Sequence, residues 1–174
     1  CNVFYWGEVR VGTYMWGSSI VNLAHDNDMI GVESSTMNGT NASTNWSALY
    51  TTIDQANAVL KYAPTINMSD KERGFAIGQA SFARAYCYFW AARLWGDVPL
   101  NLVPIESVSQ PECYPVRAPK AEVYAQIGKD IETAIENAEY LGGNCYFATK
   151  TAVNLLKAEY ALWMYTNQKG GDSY

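Results

Sequence analysis

Residues 70–95 constrain the fold more than any other stretch of this chain. Ser69 and Glu72 have the S-x-x-E spacing of a capping box, in which each side chain satisfies a backbone donor of the other. Gly96 supplies a helix exit, and the Pro99 that follows cannot continue a helix. Between those signals Phe75, Phe82, Tyr86, Phe89 and Trp90 make one face, while Ile77, Ala80, Ala85 and Tyr88 make much of the rest apolar. A helix that is apolar on most sides has to be covered on most sides. The spacing therefore predicts a long central helix with other elements packed around it.

The rest of the chain offers helices to do this. Over 44–62, Trp46, Leu49, Tyr50, Ile53, Asn57 and Leu60 form a single stripe, stopped by Pro64. Over 119–141, Pro119 suits the first turn, and Val123, Ile127, Ile131, Ala134, Ala138 and Leu141 recur at steps of three and four. Lys129, Asp130, Glu132 and Glu136 lie mostly on the other side, and Gly142-Gly143 closes the helix. Over 149–167, with Thr149 as N-cap, the pattern is apolar nearly all round: Ala152, Val153, Leu155, Leu156, Tyr160, Leu162 and Trp163. Residues 2–11 read as a shorter helix or the tail of one. Residues 12–43 are loop-rich, with a short helix expected at 18–25. No stretch reads as a convincing strand. The helices pair as hairpins over 44–95 and 119–167, an all-α, tetratricopeptide-like arrangement.

At about 150 residues per domain, 174 residues make one domain, 1–174. Two hairpin units are fewer than the three or so that a stable solenoid uses. Either the loop-rich start caps them or the chain is a piece of something longer, and its abrupt beginning inside an apolar segment favours the piece.

Composition excludes several classes. With 49% apolar and 17% charged residues, the chain is not disordered. Twelve Lys+Arg against 17 Asp+Glu give a net charge of −5, the wrong sign for a nucleic-acid binder, and no basic cluster would draw it to anionic lipid. No uncharged apolar run reaches the roughly 18 residues of a spanning helix, and the start has no signal-peptide pattern. Cysteines at 1, 87, 113 and 145 include no C-x-x-C pair, so structural zinc is not expected. Cys87 reads as a small core residue. Cys113 and Cys145 fall in loops and could pair in an oxidising compartment. His25 is the only histidine, which excludes most catalytic zinc sites, and no G-x-S-x-G surrounds any serine. Asp26-x-Asp28-x-x-Gly31 is a fragment of a calcium loop with Met37 where the bidentate glutamate belongs. The same two aspartates, two positions apart, have nothing to support a glycosidase pair. No cofactor is expected. The N-x-[ST] matches at Asn38, Asn41, Asn45 and Asn67 read as the by-product of a region rich in Asn, Ser and Thr. Aromatic residues, at 14%, are plentiful, and Tyr and Trp offer a flat apolar body with a polar tip, as sugars require.

Gly78-Gln79-Ala80-Ser81-Phe82-Ala83-Arg84-Ala85-Tyr86-Cys87-Tyr88-Phe89, followed by Leu94-Trp95-Gly96-Asp97-Val98-Pro99-Leu100, resembles the SusD/RagB family, whose pattern is roughly G-E-A-x-F-L-R-A-x-x-Y-F and then W-G-D-V-P-L. Trp46-x-x-Leu49-Tyr50-x-x-Ile53-x-x-Ala56-Asn57 resembles the preceding family helix. Arg117 with Glu122-Val123-Tyr124-x-x-Ile127-x-x-Asp130-Ile131-x-x-Ala134 resembles the following one. Gln79 and Ala83 depart from the usual Glu and Leu, and Leu155-Leu156-Lys157 from the usual Leu-Ala-Arg. These departures change local packing and charge pairing rather than fold. Members are far longer, and the half that follows these motifs is absent here. The resemblance implies a mostly helical, tetratricopeptide-containing lipoprotein on the outer surface of Bacteroidetes-type bacteria. It would bind a glycan or other nutrient and deliver it to a SusC-like TonB-dependent transporter, without catalysis.

Within W-G-D-V-P-L the residues read as structural: Gly96 for the helix exit, Asp97 for a bond to the turn backbone, Trp95 and Leu100 as anchors. Trp46 and Trp90 sit on apolar stripes and read as core. Ligand contacts are expected in 10–45, which joins helices and carries few core-like repeats. A sugar needs an aromatic face for its C–H side and planar amides or guanidinium for its hydroxyls. Glu8-x-Arg10 also resembles a family pattern near the start of the binding region. Arg10, Tyr14, Trp16 and Asn41 are the candidates. Cys1 reads as a fragment boundary rather than a lipidation site, because Val3-Phe4-Tyr5-Trp6 follows almost at once where a polar tether belongs. Any membrane attachment is expected only through a lipid anchor at or before the start. The rival reading is a tetratricopeptide-like scaffold that binds only protein partners, its loop aromatics simply packing.

Overall fold

The computed structural model describes residues 6, 7, 31, 36–141 and 146–169. Its chain forms two compact units, Cys1–Ala48 and Leu49–Tyr174. The helices described in full are α1 (Ser47–Tyr62), α2 (Asp70–Trp95), α3 (Lys120–Glu136) and α4 (Lys150–Lys169). A two-residue antiparallel bridge, β1 (Val98–Pro99) with β2 (Arg117–Ala118), closes the long connector between α2 and α3. The expected helix at 18–25 lies outside the described residues, and of the one at 2–11 only residues 6 and 7, both helical, are described.

α2 forms where its sequence signals predict. Glu72 N–H donates to the Ser69 hydroxyl, and the Glu72 carboxylate accepts from the Ser69 backbone at 3.0 Å. The Ser69 hydroxyl also donates to that carboxylate at 2.7 Å, and this bond, with the one from the Ser69 backbone, holds the Glu72 carboxyl below its ordinary value. At the other end Gly96 takes φ 70°, a conformation that costs a side-chain-bearing residue energy.

The face that α2 buries differs from the expected one. Gly74, Gly78, Ala80, Ser81, Ala85, Ala91 and Ala92 are buried together with Tyr88 and Phe89. The large aromatics Phe82, Tyr86 and Trp90 instead form a column at the edge, in which Phe82 and Tyr86 stack with centroids 6.0 Å apart. Small residues on the inner face let α3 approach closely with Val123, Ile127, Ile131 and Ala134, all buried.

α3 ends at Glu136 rather than 141. Asn137 leaves helical geometry, and a 3₁₀ turn over Ala138–Tyr140 carries the chain on. That turn keeps Ala138 on the apolar face, so the periodicity survives the break. It also lays the Tyr140 ring over Gly74: an ideal Cβ there would lie 2.1 Å from the ring, and one at Gly78 would meet Leu141 at 2.9 Å.

Asp130, expected on the polar side of α3, is buried. Arg84 Nε and Nη2 donate to its two carboxylate oxygens at 2.8 and 2.6 Å, and Arg84 Nη1 donates to Asn57 Oδ1 at 2.8 Å. Gln126 Nε2 adds a bond to Asp130 at 2.8 Å. One guanidinium thus ties α1, α2 and α3. A buried pair is tolerated only when its remaining donors and acceptors are met, as these are.

α4 packs through Val153 and Leu156, with Tyr160 and Trp163 bonding Tyr124 of α3. Arg93 of α2 joins it, donating to Glu159 at 2.6 Å and lying over the Trp163 ring at 4.8 Å. Gln79 donates to Ala148 O and accepts from Ala148 N–H, both at 2.8 Å. An ionised Glu could only accept, so this departure from the family pattern builds a local contact. The nearly all-round apolar pattern is not matched by burial: Leu155 is 69% and Leu162 64% exposed.

Candidate functional site

The α2–α3 connector begins at the Trp95-Gly96-Asp97-Val98-Pro99-Leu100 motif. Val98 is its buried anchor, whereas Trp95 and Leu100 are only half-buried. Asp97 Oδ1 accepts from the Lys120 N–H at 2.8 Å, so it caps α3 from 23 residues away rather than only its own turn. Arg117 Nη1 donates to the Asp97 carbonyl at 2.6 Å.

A loop this long is ordinarily mobile unless its backbone is tied down. Here one stripe of α1 ties it. The Tyr50 hydroxyl donates to Pro99 O at 2.7 Å, and Asn57 Nδ2 donates to Asn101 O and Val103 O at 3.0 and 3.2 Å. Asp54 accepts from Ile105 N–H at 2.8 Å. Lys61 and Tyr62 both donate to the Glu106 carboxylate. From α2, Tyr88 exchanges hydrogen bonds with Asn101 N–H and C=O at 2.7 and 2.8 Å. Burial pushes the Tyr50 and Tyr88 phenols well above their ordinary value, with Arg117 partly opposing it at Tyr50. Lys61 and Tyr62 hold the Glu106 carboxyl below its own. Farther on, the Gln110 carboxamide accepts from Ser107 N–H at 2.7 Å, and the Cys113 thiol donates to Ser107 O at 3.2 Å. Cys113 is a free thiol, and Cys145 lies outside the described residues.

The second half of the connector and the start of α3 enclose a groove of about 510 Å³, within the range of small-molecule sites. Leu100, Pro111, Pro115 and Pro119 give it apolar walls, and Asn101, Glu112, Tyr114, Arg117 and Glu122 its polar ones. Tyr114 is 81% exposed, held by its own N–H bond to Pro111 O at 3.0 Å. A second hollow, of about 440 Å³, lies beside Ser69, Glu72, Phe75 and Tyr140. Its one carboxylate is already spent on the α2 cap.

Of the expected contacts, Arg10, Tyr14 and Trp16 lie outside the described residues, as do His25, Asp26 and Asp28. Asn41 is described and half-exposed. Its Oδ1 accepts from Asn38 N–H at 2.8 Å and its carbonyl from Thr44 Oγ1 at 2.7 Å. Asn38 Oδ1 accepts from Thr40 N–H at 2.9 Å, and Asn45 Oδ1 from Ser47 N–H at 2.8 Å. The asparagines of this stretch thus close local turns, an ordinary use of the residue. Buried Ser43 accepts the Trp6 indole N–H on its carbonyl at 2.6 Å. Among the described residues no group of three or more His, Cys, Asp or Glu could hold a metal, and no helix is long and apolar enough to cross a membrane.

The profile of a SusD-like family, described as starch-binding and associating with the outer membrane, matches residues 7–159. The chain belongs to the SusD-like family. It is 30% identical over 167 residues to the SusD-like protein P38 of Formosa agariphila, covering 95% of this chain and 31% of that protein. Among solved structures, the SusD-like chain is similar to Bacteroides fragilis NanU at 26% identity and a TM-score of 0.78, over 98% of this chain and 34% of that one. A laminarin-binding SusD-like protein matches in fold at 22% identity and a TM-score of 0.78, over 96% of this chain and 36% of that one. The all-α, tetratricopeptide-like reading holds, and the chain spans about a third of the length of these SusD-like relatives.

Proposed function

We propose that this chain is part of a non-catalytic glycan-binding protein on the extracellular face of the outer membrane, and that it helps to capture an oligosaccharide for a SusC-like TonB-dependent transporter. The observation that carries this reading is the SusD-like family match over 7–159, which spans the loop-rich segment, the first helical hairpin and most of the second. A relative whose name states laminarin binding supports a polysaccharide as the ligand class. Capture would work by shape, aromatic stacking and hydroxyl hydrogen bonds, with Arg10, Tyr14, Trp16 and Asn41 as the contacts in 10–45 and residues 1–174 acting as one SusD-like N-terminal helical domain.

The test is retention of the purified chain in gels containing a panel of soluble polysaccharides, with albumin as the non-binding standard. Retardation by one of them, lost in a Tyr14→Ala/Trp16→Ala variant with an unchanged melting temperature, supports capture by this segment. Retardation that survives the substitutions moves the site elsewhere. The scaffold reading, in which only protein partners bind, is favoured by one observation: the exposed Leu155 and Leu162 on α4. It predicts no retardation by any polysaccharide.

A further inference from the structure

We infer that the groove between the connector and the start of α3 is a second carbohydrate-contacting site, taking a neutral sugar residue with Tyr114 as its platform. This inference rests on the glycan-binding reading above and adds a site outside 10–45.

Three features of the groove lead to that ligand. First, its backbone is held by bonds that leave the Asn101, Glu112, Tyr114 and Glu122 side chains uncommitted among the described residues, while Arg117 is already bonded to the Asp97 carbonyl. Asn101 spends its N–H and C=O on Tyr88 and Asn57. The Asn101 amide and the Glu112 and Glu122 carboxylates make no hydrogen bond within the described residues, and Tyr114 makes none through its hydroxyl. A site whose frame is fixed before the ligand arrives loses little entropy on binding.

Second, the chemistry is mixed in the way a sugar ring needs. The Tyr114 ring, 81% exposed at the exit of the Pro111–Cys113 turn, where its backbone N–H bonds Pro111 O, offers a flat face for axial C–H groups. Carboxylates accept from hydroxyl donors, and a carboxamide both donates and accepts. The proline and leucine walls supply the apolar remainder.

Third, the charges argue for a neutral ligand. Two carboxylates oppose an anionic one, and Arg117 at the same wall opposes a compact cation. The volume of about 510 Å³ holds one or two sugar rings rather than a folded partner.

The test is an ¹⁵N chemical-shift titration of the full chain with neutral oligosaccharides prepared from laminarin and from starch, repeated with Tyr114→Ala and Tyr114→Trp. Because the ring is exposed, both variants should keep the wild-type melting temperature. The expected result is saturable shifts at amides of 101–122, weakened roughly tenfold by Tyr114→Ala and restored by Tyr114→Trp. Shifts confined to 10–45 overturn this site and leave the glycan-binding reading standing. Shifts at neither segment overturn both. Shifts at 101–122 given only by an anionic oligosaccharide titrated in parallel, and lost in 0.5 M NaCl, overturn the neutral sugar.

Discussion

Gly74 and Gly78 show how much one missing side chain can decide. Their four-residue spacing makes a notch on α2, and Tyr140 and Leu141 fill it. Alanine in place of an exposed helical glycine gains up to about 1 kcal/mol from propensity. At Gly74 that gain is outweighed, because the new Cβ would meet the Tyr140 ring at 2.1 Å with ring atoms on that side. Gly74→Ala should therefore destabilise by about 1–3 kcal/mol in urea denaturation, as overpacked cores do. Gly78→Ala, which meets the movable end of Leu141 at 2.9 Å, should cost less. The Arg84–Asp130 pair gives the sharper case. Asp130→Ala leaves a guanidinium buried without its carboxylate, and a loss of about 3–5 kcal/mol is expected. Glu132→Ala removes an exposed pair with Lys157 from the same helix and should cost under about 1 kcal/mol. Equal losses from the two substitutions would refute the distinction.

At the scale of elements, the connector's order depends on protonated phenols. Tyr50 and Tyr88 can hold the Pro99 and Asn101 carbonyls only while they carry their protons. Unfolded, both titrate at the ordinary value of 10.0; folded, burial keeps them protonated to higher pH. Above pH 10 the unfolded chain therefore releases protons that the fold retains, and stability falls as pH rises. Cys87 acts in the same direction, since burial raises its thiol from 9.0 to about 11. The urea midpoint should be flat between pH 7 and 8, begin to fall as the unfolded Cys87 thiol titrates around 9.0, and fall more steeply above pH 10. Tyr50→Phe should start about 1 kcal/mol lower at pH 8, having lost one hydrogen bond, and decline less steeply. The two faces of α4 give a second contrast. Leu156→Ala should cost about 2–5 kcal/mol, while Leu162→Ala on the exposed face should fall within about 0.5 kcal/mol by the same denaturation.

For the whole molecule, the long periodic elements were legible because their signals are local. The capping box, Gly96 and the apolar stripes each act within a few residues, and α2 begins and ends where they say. The illegible parts are those decided by partners far along the chain. Asp130 looks like a surface aspartate until Arg84 reaches it from 46 positions away. Asp97 looks like a turn residue until it caps a helix 23 positions on. The connector groove had a sequence signal of a kind: Pro111-Glu112-Cys113-Tyr114-Pro115-Val116-Arg117 has no helical period and carries an aromatic with no stripe to join. What sequence could not show is that the connector is pinned by Tyr50, Asp54, Asn57 and Lys61. Those residues also fit an ordinary helix face.

Net charge bears on binding at this same scale. The chain carries −5 in all, and the groove adds Glu112 and Glu122 against Arg117. A neutral polysaccharide feels none of that field, so its retention should be unchanged between 50 and 500 mM NaCl. A polyanionic polysaccharide approaches a surface of its own sign and should be retained weakly or not at all at low salt, since screening sets in only as the Debye length falls below about 10 Å. Affinity gels cast with laminarin and with alginate, run at both salt concentrations, decide it. Retention by alginate that weakens with salt would mean that local cationic groups outside the described residues, Arg10 among the candidates, outweigh the charge of the whole. Salt-independent retention by laminarin alone would instead mean that stacking and hydroxyl bonds carry the affinity.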